Sequence, residues 1–427
     1  MKLQELCPVP LPSGLNLTQE VWIGPGVIRH LPEAIERYLR EKTLRIADPD
    51  TWEAFMRDGQ APAEPAPHLL PRHTHGDEAA INGALSLADG KSGLIAIGSG
   101  VINDLVKYIS YQRKIPYIVA GTAASMNGYA SAIAAIMMKG VKVTLPAAPP
   151  RAIILDTNIL RAAPPALAQA GLGDLLSKPL CAADWWMGVQ LEGGRFDDLP
   201  GKIVDRAIRQ AVARASALAR GEEAAFQALG EALTLSGVSM AVAGDSRPAS
   251  GGEHLISHFW DMEALAQDKP MRLHGAQVGV SSCLCAAVYQ RILALEKPIF
   301  ADPAPWDVEE QRIRRDHGIL AGAVLDHAKR KRDKADARLA ILREQWPRLR
   351  EGLTMLQIPR LIDLQTPLIA AGAPHTLRDL GVSKEEAARS VRLARDIRDR
   401  HTVLDLAFEL GLFPDAIEEI VEEVDAA

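Results

Sequence analysis

His254 and His258 stand four residues apart in Glu253-His254-Leu255-Ile256-Ser257-His258, a spacing that places two imidazoles on one face of a helix. His274 follows on the next element, in Leu273-His274-Gly275, and Asp174 comes earlier, in Gly171-Leu172-Gly173-Asp174, a run expected to open a helix. Two imidazoles and one carboxylate make a three-ligand site with open positions, the pattern of a catalytic Zn²⁺ or Fe²⁺ centre. In the competing reading, Asp174 caps a helix and the histidines are hydrogen-bonded polar residues at a domain interface.

A second chemistry lies in the first half of the chain. Leu94 to Ile97 suits a buried strand, runs into Gly98-Ser99-Gly100, and gives way to a helical pattern through Leu105, Val106, Tyr108 and Ile109. A strand ending in a glycine turn that opens a helix can bind phosphate, because the backbone comes close and the first N–H groups are free. The spacing matches neither GxGxxG nor the P-loop. A second apolar run, Ile115 to Ala120, leads into a loop carrying Thr122, Ser125 and Ser131, whose hydroxyls suit a diphosphate or simply cap helices and form turns.

These side chains need elements to hold them. Before position 160, apolar runs at Val21 to Ile23, Leu44 to Ala47, Leu94 to Ile97, Ile115 to Ala120 and Ala152 to Leu155 alternate with helical patterns, which implies βαβ units and a mainly parallel sheet. The segment from Ala61 to His75 reads as a loop, with His73 and His75 exposed in it. From Pro165 onward helical periodicity dominates. The expectation is an α/β domain over residues 1–162 and an all-helical metal and substrate domain over 163–427, with the site in the cleft between them.

The 427 residues, 48% hydrophobic and 24% charged with a net charge of −6, describe a globular chain and disfavour nucleic acid as a partner. The run Lys329-Arg330-Lys331-Arg332 sits among aspartates and reads as a solvated helix face. Four scattered cysteines make no disulfide framework, Cys283 and Cys285 falling in an apolar run. No stretch reads as a membrane span or signal peptide, so a cytoplasmic protein with no membrane partner is expected.

Five motifs occur in order: Gly98-Ser99-Gly100-x-x-x-Asp104-x-x-Lys107-Tyr108, Thr122-Ala123-x-Ser125-x-x-Gly128-x-Ala130-Ser131, Gly171-x-Gly173-Asp174-Leu175-x-x-Lys178, Ser246-Arg247-Pro248-x-Ser250-Gly251-x-Glu253-His254-x-x-x-His258, and His274-Gly275-x-x-Val278-Gly279. Together with Arg400-His401-Thr402-Val403-Leu404-Asp405-Leu406-Ala407, the set resembles the sn-glycerol-1-phosphate dehydrogenase family. That family lies within the superfamily of iron-containing alcohol dehydrogenases, glycerol dehydrogenases and dehydroquinate synthases, and the resemblance runs from about Trp22 to Gly411.

The resemblance implies a dehydroquinate synthase-like fold and a metal-dependent oxidoreductase interconverting dihydroxyacetone phosphate and sn-glycerol-1-phosphate. It implies that Gly100, Val101, Ile102, Asn103, Asp104, Thr122, Ala123, Ala124, Ser125 and Ser131 bind NAD or NADP. Asp48, after an early strand, is the candidate for the ribose hydroxyls, which would favour NAD. It places Zn²⁺, or alternatively Ni²⁺ or Fe²⁺, on Asp174, His254 and His274, with Asp174 and His258 also facing a small polyol phosphate or polyol. A homodimer or larger homo-oligomer is implied as well. Arg247 and Lys178 are candidates for the substrate phosphate, Arg247 equally for an internal ion pair. One position departs from the pattern: Asn127 stands where the family carries Asp, so a different polyol or diol at the same site, or an NAD-assisted lyase, is the alternative.

Overall fold

The computed structural model describes residues 1–40, 42–57, 61–62, 64–72, 74–138 and 141–426. His73 lies outside the described residues. Among the described residues eight strands are present: β1 (Glu20–Gly24), β2 (Thr43–Ala47), β3 (His68–Leu69), β4 (Gly93–Gly98), β5 (Tyr117–Gly121), β6 (Ile133–Met138), β7 (Val141–Pro146) and β8 (Ala152–Asp156). Six form one sheet in the order β1-β8-β5-β4-β2-β3, with every neighbouring pair parallel. The expected strands are all there, and three more join them. β3 interrupts the segment read as a loop, pairing Ile46 with His68 and Ala47 with Leu69. β6 and β7 form a separate antiparallel hairpin.

The central strands β4, β5 and β8 are buried along their whole length, as parallel strands covered on both faces must be. Their alternation divides the core. Ile95, Ile97, Ile118 and Ile154 pack with Leu31, Ala34 and Phe55, whereas Leu94, Ala96, Val119 and Leu155 join a cluster that continues through the helices of the second half. After β8 every element is helical.

Seven helices bear on the site: α1 (Pro49–Met56), α2 (Gly100–Arg113), α3 (Pro165–Leu176), α4 (Lys178–Glu192), α5 (Glu223–Ala243), α6 (Gly252–Ala266) and α7 (His274–Ala294). By length and composition α5 could cross a membrane, contrary to the reading that no stretch qualifies, but 83% of its most apolar window is buried inside the fold. The basic run at 329–332 is also not wholly solvated. Lys331 is buried, with its ammonium 3.0 Å from both carboxylate oxygens of Asp405.

Candidate functional site

Asp174 lies near the end of α3, not at a helix start. The glycines before it serve a close helix crossing. A methyl at Gly171 would overlap the Ala124 carbonyl oxygen, one at Gly173 would overlap the Gly275 carbonyl oxygen, and one at Gly275 would overlap the Ala170 carbonyl group. Backbone-to-backbone contact of α3 with the start of α7 thereby brings Asp174 beside His274. The beginning of α6 is held by Asp184 of α4, whose Oδ2 accepts from Gly252 N at 2.7 Å and whose Oδ1 accepts from Val403 N at 2.7 Å. From there His254 and His258 project one turn apart.

The three imidazoles converge, with ring centroids 5.2 Å apart for His254 and His274, 5.6 Å for His258 and His274, and 6.0 Å for His254 and His258. His254 Nε2 lies 3.6 Å from Asp174 Oδ1, outside ordinary hydrogen-bond range. Each candidate ligand is braced from behind. His254 Nδ1 bonds Glu253 Oε1 at 2.8 Å and His274 Nδ1 bonds the Ser257 hydroxyl at 3.1 Å, leaving each Nε2 without a protein hydrogen bond among the described residues. Asp174 Oδ1 accepts from Lys178 Nζ at 2.9 Å and from Asn127 Nδ2 at 3.0 Å, and Oδ2 accepts from Asn127 N at 3.1 Å.

Burial would raise the Asp174 carboxyl, but Lys178, His254 and His274 hold it below the usual range, so it is ionised at neutral pH. Burial pushes His274 down to about 3, with Lys142 and His254 adding to the effect, and moves His258 well down for the same reasons. Imidazoles backed at Nδ1 and an ionised carboxylate are the donor set a divalent ion needs, and the residues fit one. A second group of donor types, Cys181, Glu253 and His254, lies behind them. Its atoms are already committed to one another: Glu253 Oε1 accepts from Cys181 Sγ at 3.0 Å and from Gly251 N at 2.8 Å, as well as meeting His254. Burial and the Glu253 charge push the Cys181 thiol well up, which keeps it protonated, so this group braces His254 and is not itself a metal site.

A cavity of about 240 Å³ joins these residues to the end of the sheet, lined by His254, His258, His274 and Asn127 on one side and by Gly100, Val101, Asp104 and Ser131 on the other. At that far side α2 begins uncapped. The hydroxyl of Ser99, the residue at the cap position, instead meets Ser125 Oγ at 2.5 Å and accepts from the Tyr129 hydroxyl at 3.2 Å. The first N–H groups of α2 are thus left for an anion. A methyl at Gly100 would make only an ordinary contact with the Met126 side chain at 3.9 Å, whereas one at Gly98 would meet Ile102 at 2.8 Å, so Gly98 is there for packing.

The remaining predicted residues divide by what they touch. Ile102, Asn103, Thr122, Ala123 and Ala124 are buried and none of them lines the cavity. Asp104 receives Lys107 Nζ at 2.9 Å and Ala135 N at 3.1 Å, and Ser131 also receives Lys107 Nζ at 2.9 Å, so both tie α2 to the hairpin. Asp48 caps α1 by accepting from Thr51 N at 2.8 Å and is not part of the cavity lining. His75 is exposed as expected, yet stands at the cavity. The two phosphate candidates are engaged elsewhere. Lys178 is fully committed around Asp174, and Arg247 pairs with Asp245 at 3.0 Å and lies over the Trp185 ring. Sequence reasoning gave Glu253 no role, although it adjoins a candidate ligand. It also missed Lys142, which the alternation Val141-Lys142-Val143-Thr144-Leu145 could have revealed as a strand residue.

Residues 22–164 match the family model described as iron-containing alcohol dehydrogenase. A Bacillus velezensis protein named glycerol-1-phosphate dehydrogenase (NAD(P)+) is 29% identical over 405 residues, covering 92% of this chain and 91% of that protein. A Bacillus licheniformis protein of the same name is 31% identical over 357 residues, covering 82% of this chain and 78% of the other. Among solved structures, a probable glycerol dehydrogenase from Sinorhizobium meliloti shares the fold with a TM-score of 0.63 at 17% identity, over 97% of this chain and 98% of that one.

Proposed function

The chain belongs to the glycerol-1-phosphate dehydrogenase family of the iron-containing alcohol dehydrogenase superfamily, and from that premise we propose that it interconverts dihydroxyacetone phosphate and sn-glycerol-1-phosphate with NAD(P). The observation that carries this reading is one cavity that joins the uncapped start of α2 to His254 and His274, with the buried Asp174 carboxylate behind them, 3.6 Å from His254 Nε2. An anion-binding end and a metal-binding end share one space, which hydride chemistry on a polarised carbonyl requires.

In this reading Asp174, His254 and His274 hold a divalent ion, for which Zn²⁺ is our proposal. When bound, the ion polarises the substrate carbonyl and the dinucleotide exchanges a hydride with its carbon. Lys178 and Asn127 orient the Asp174 carboxylate, while Glu253 and Ser257 fix the two ligand imidazoles by their Nδ1 atoms. Reduction adds one hydride to the carbon and one proton to the oxygen. His258 lines the cavity, and neither of its ring nitrogens is bonded among the described residues, with Nδ1 buried and without a partner. It is the residue we assign to bind a substrate hydroxyl and pass on that proton. Val101, Met126, Met137 and Met271 give the cavity apolar walls that limit water around the transferred hydride.

The test follows NADH and NADPH oxidation by Zn²⁺-loaded protein with dihydroxyacetone phosphate, with and without chelator, and determines the handedness of the product. Chelator-sensitive formation of sn-glycerol-1-phosphate supports the reading. Absence of turnover in the loaded protein, with activity appearing in Asn127→Asp, overturns it in favour of another polyol.

A further inference from the structure

The substrate proposed above carries a phosphate that is close to a dianion at neutral pH, and an anion entering a mostly apolar cavity needs a counter-charge. Neither Lys178 nor Arg247 lines the cavity. The antiparallel hairpin does. Its register sets Ala135 opposite Thr144 and Met137 opposite Lys142. Strand alternation then puts Ile133, Ala135, Met137, Lys142 and Thr144 on one face, and these five all line the cavity. Among the described lining residues, Lys142 is the one lysine or arginine.

Its ammonium is under-used compared with its buried neighbours. Lys107 Nζ donates to Asp104, Gly128, Ser131 and Ile133, and Lys178 Nζ to both the carbonyl and carboxylate of Asp174, to Ser177 and to Ala249. Lys142 Nζ meets one acceptor among the described residues, Asp261 Oδ2 at 2.8 Å, and an ammonium has three N–H groups. The remaining donors belong to a side chain 17% exposed, at the cavity. Asp261 is fixed in turn by Gln277 Nε2 at 3.1 Å, so the cation has a defined place. Ser250, on the same lining, offers a hydroxyl with no protein partner among the described residues.

Resting on the proposed function, we propose that Lys142 receives the substrate phosphate, with Ser250 as a second donor, and that this contact selects a phosphorylated triose or triol over its unphosphorylated counterpart. No bond is made or broken in the step. A charge-assisted contact of this kind corresponds to about a 10- to 100-fold effect on binding.

The test compares wild type, Lys142→Met and Lys142→Arg as full-length Zn²⁺-loaded protein. Each is assayed with dihydroxyacetone phosphate and with dihydroxyacetone, and inorganic phosphate is titrated while the thermal midpoint is followed. In Lys142→Met the loss of kcat/KM on dihydroxyacetone phosphate should exceed that on dihydroxyacetone by about 10- to 100-fold, mostly through KM. The stabilisation by phosphate seen in wild type should vanish, and Lys142→Arg should restore part of both. Equal losses on the two substrates would overturn the inference, since Lys142 would then act through Asp261, Gln277 and Ser257 on His274. A wild type that gains no stability from phosphate overturns it too, without need of a folded Lys142→Met. A wild type that never reduces dihydroxyacetone phosphate removes the proposed function itself, a result distinct from either.

Discussion

Gly275→Ala probes whether the α3–α7 crossing sets the spacing of the proposed ligands. The added methyl would lie 2.6 Å from the Ala170 carbonyl carbon, as well as overlapping its oxygen. Carbon atoms in contact sit about 3.5–4.0 Å apart, so the two helices must part by about 1 Å at this point. His274 precedes Gly275 and Asp174 lies one turn beyond Ala170, so the gap opens between two of the three proposed ligands. Overpacking of this kind costs about 1–3 kcal/mol of stability, and a displacement near 1 Å at a reacting centre costs roughly 100-fold. Zn²⁺ affinity by chelator competition is the primary assay, with the thermal midpoint of the metal-free protein beside it. Gly201→Ala is the control, because a methyl there meets nothing within 4 Å in the Leu199–Val212 helix. The control should gain up to about 1 kcal/mol and keep its metal affinity. Gly275→Ala should lose about 10- to 100-fold in affinity and melt earlier. If it binds Zn²⁺ as tightly as the parent, the crossing does not set the ligand spacing and the argument fails.

Glu253→Gln removes the charge that accepts from His254, Cys181 and Gly251, and should weaken Zn²⁺ binding by about 10- to 100-fold by chelator competition; an unchanged affinity would deny Glu253 its bracing role. Asn127→Asp replaces the donor to Asp174 with a second carboxylate, so the metal-free protein should melt earlier than wild type at pH 8, and saturating Zn²⁺ should narrow that gap. A metal-free midpoint equal to wild type would show that the amide bond contributes nothing. In the helical half, burial raises the Glu409 carboxyl, but His401 and Arg338 outweigh it and bring it down to about 2. A carboxyl depressed in the folded state contributes stability above its unfolded value of about 4.3 and loses it as pH falls towards the folded value. Glu409→Gln should therefore cost about 3 kcal/mol at pH 7, with the difference from wild type shrinking between about pH 4 and 2; a constant difference across that range would contradict it.

Local patterns determined much of this protein. The strand–glycine–helix start at Gly98 to Gly100, the run of parallel strands and the shared face of His254 and His258 are set by periodicities of two and 3.6 residues, which a chain carries in its own order. The resemblance, resting on short motifs in sequence, named Asp174, His254 and His274 as a group, and the fold gathers them. What the sequence could not decide is which side chains meet across long separations. Asp174 ends a helix because Gly171 and Gly173 are shaped for contact with Ala124 and Gly275, a use of glycine that looks identical in sequence to a helix-opening turn. Lys178 looked available to a phosphate until packing closed Asp174, Ser177 and Ala249 around it, whereas Lys142, on a hairpin whose alternation the sequence reading passed over, was left with open donors at the cavity. The charge of a lysine is written in the sequence. Whether that charge is spent inside the protein or left for a ligand depends on which acceptors the tertiary structure brings within 3 Å, and only packing decides that.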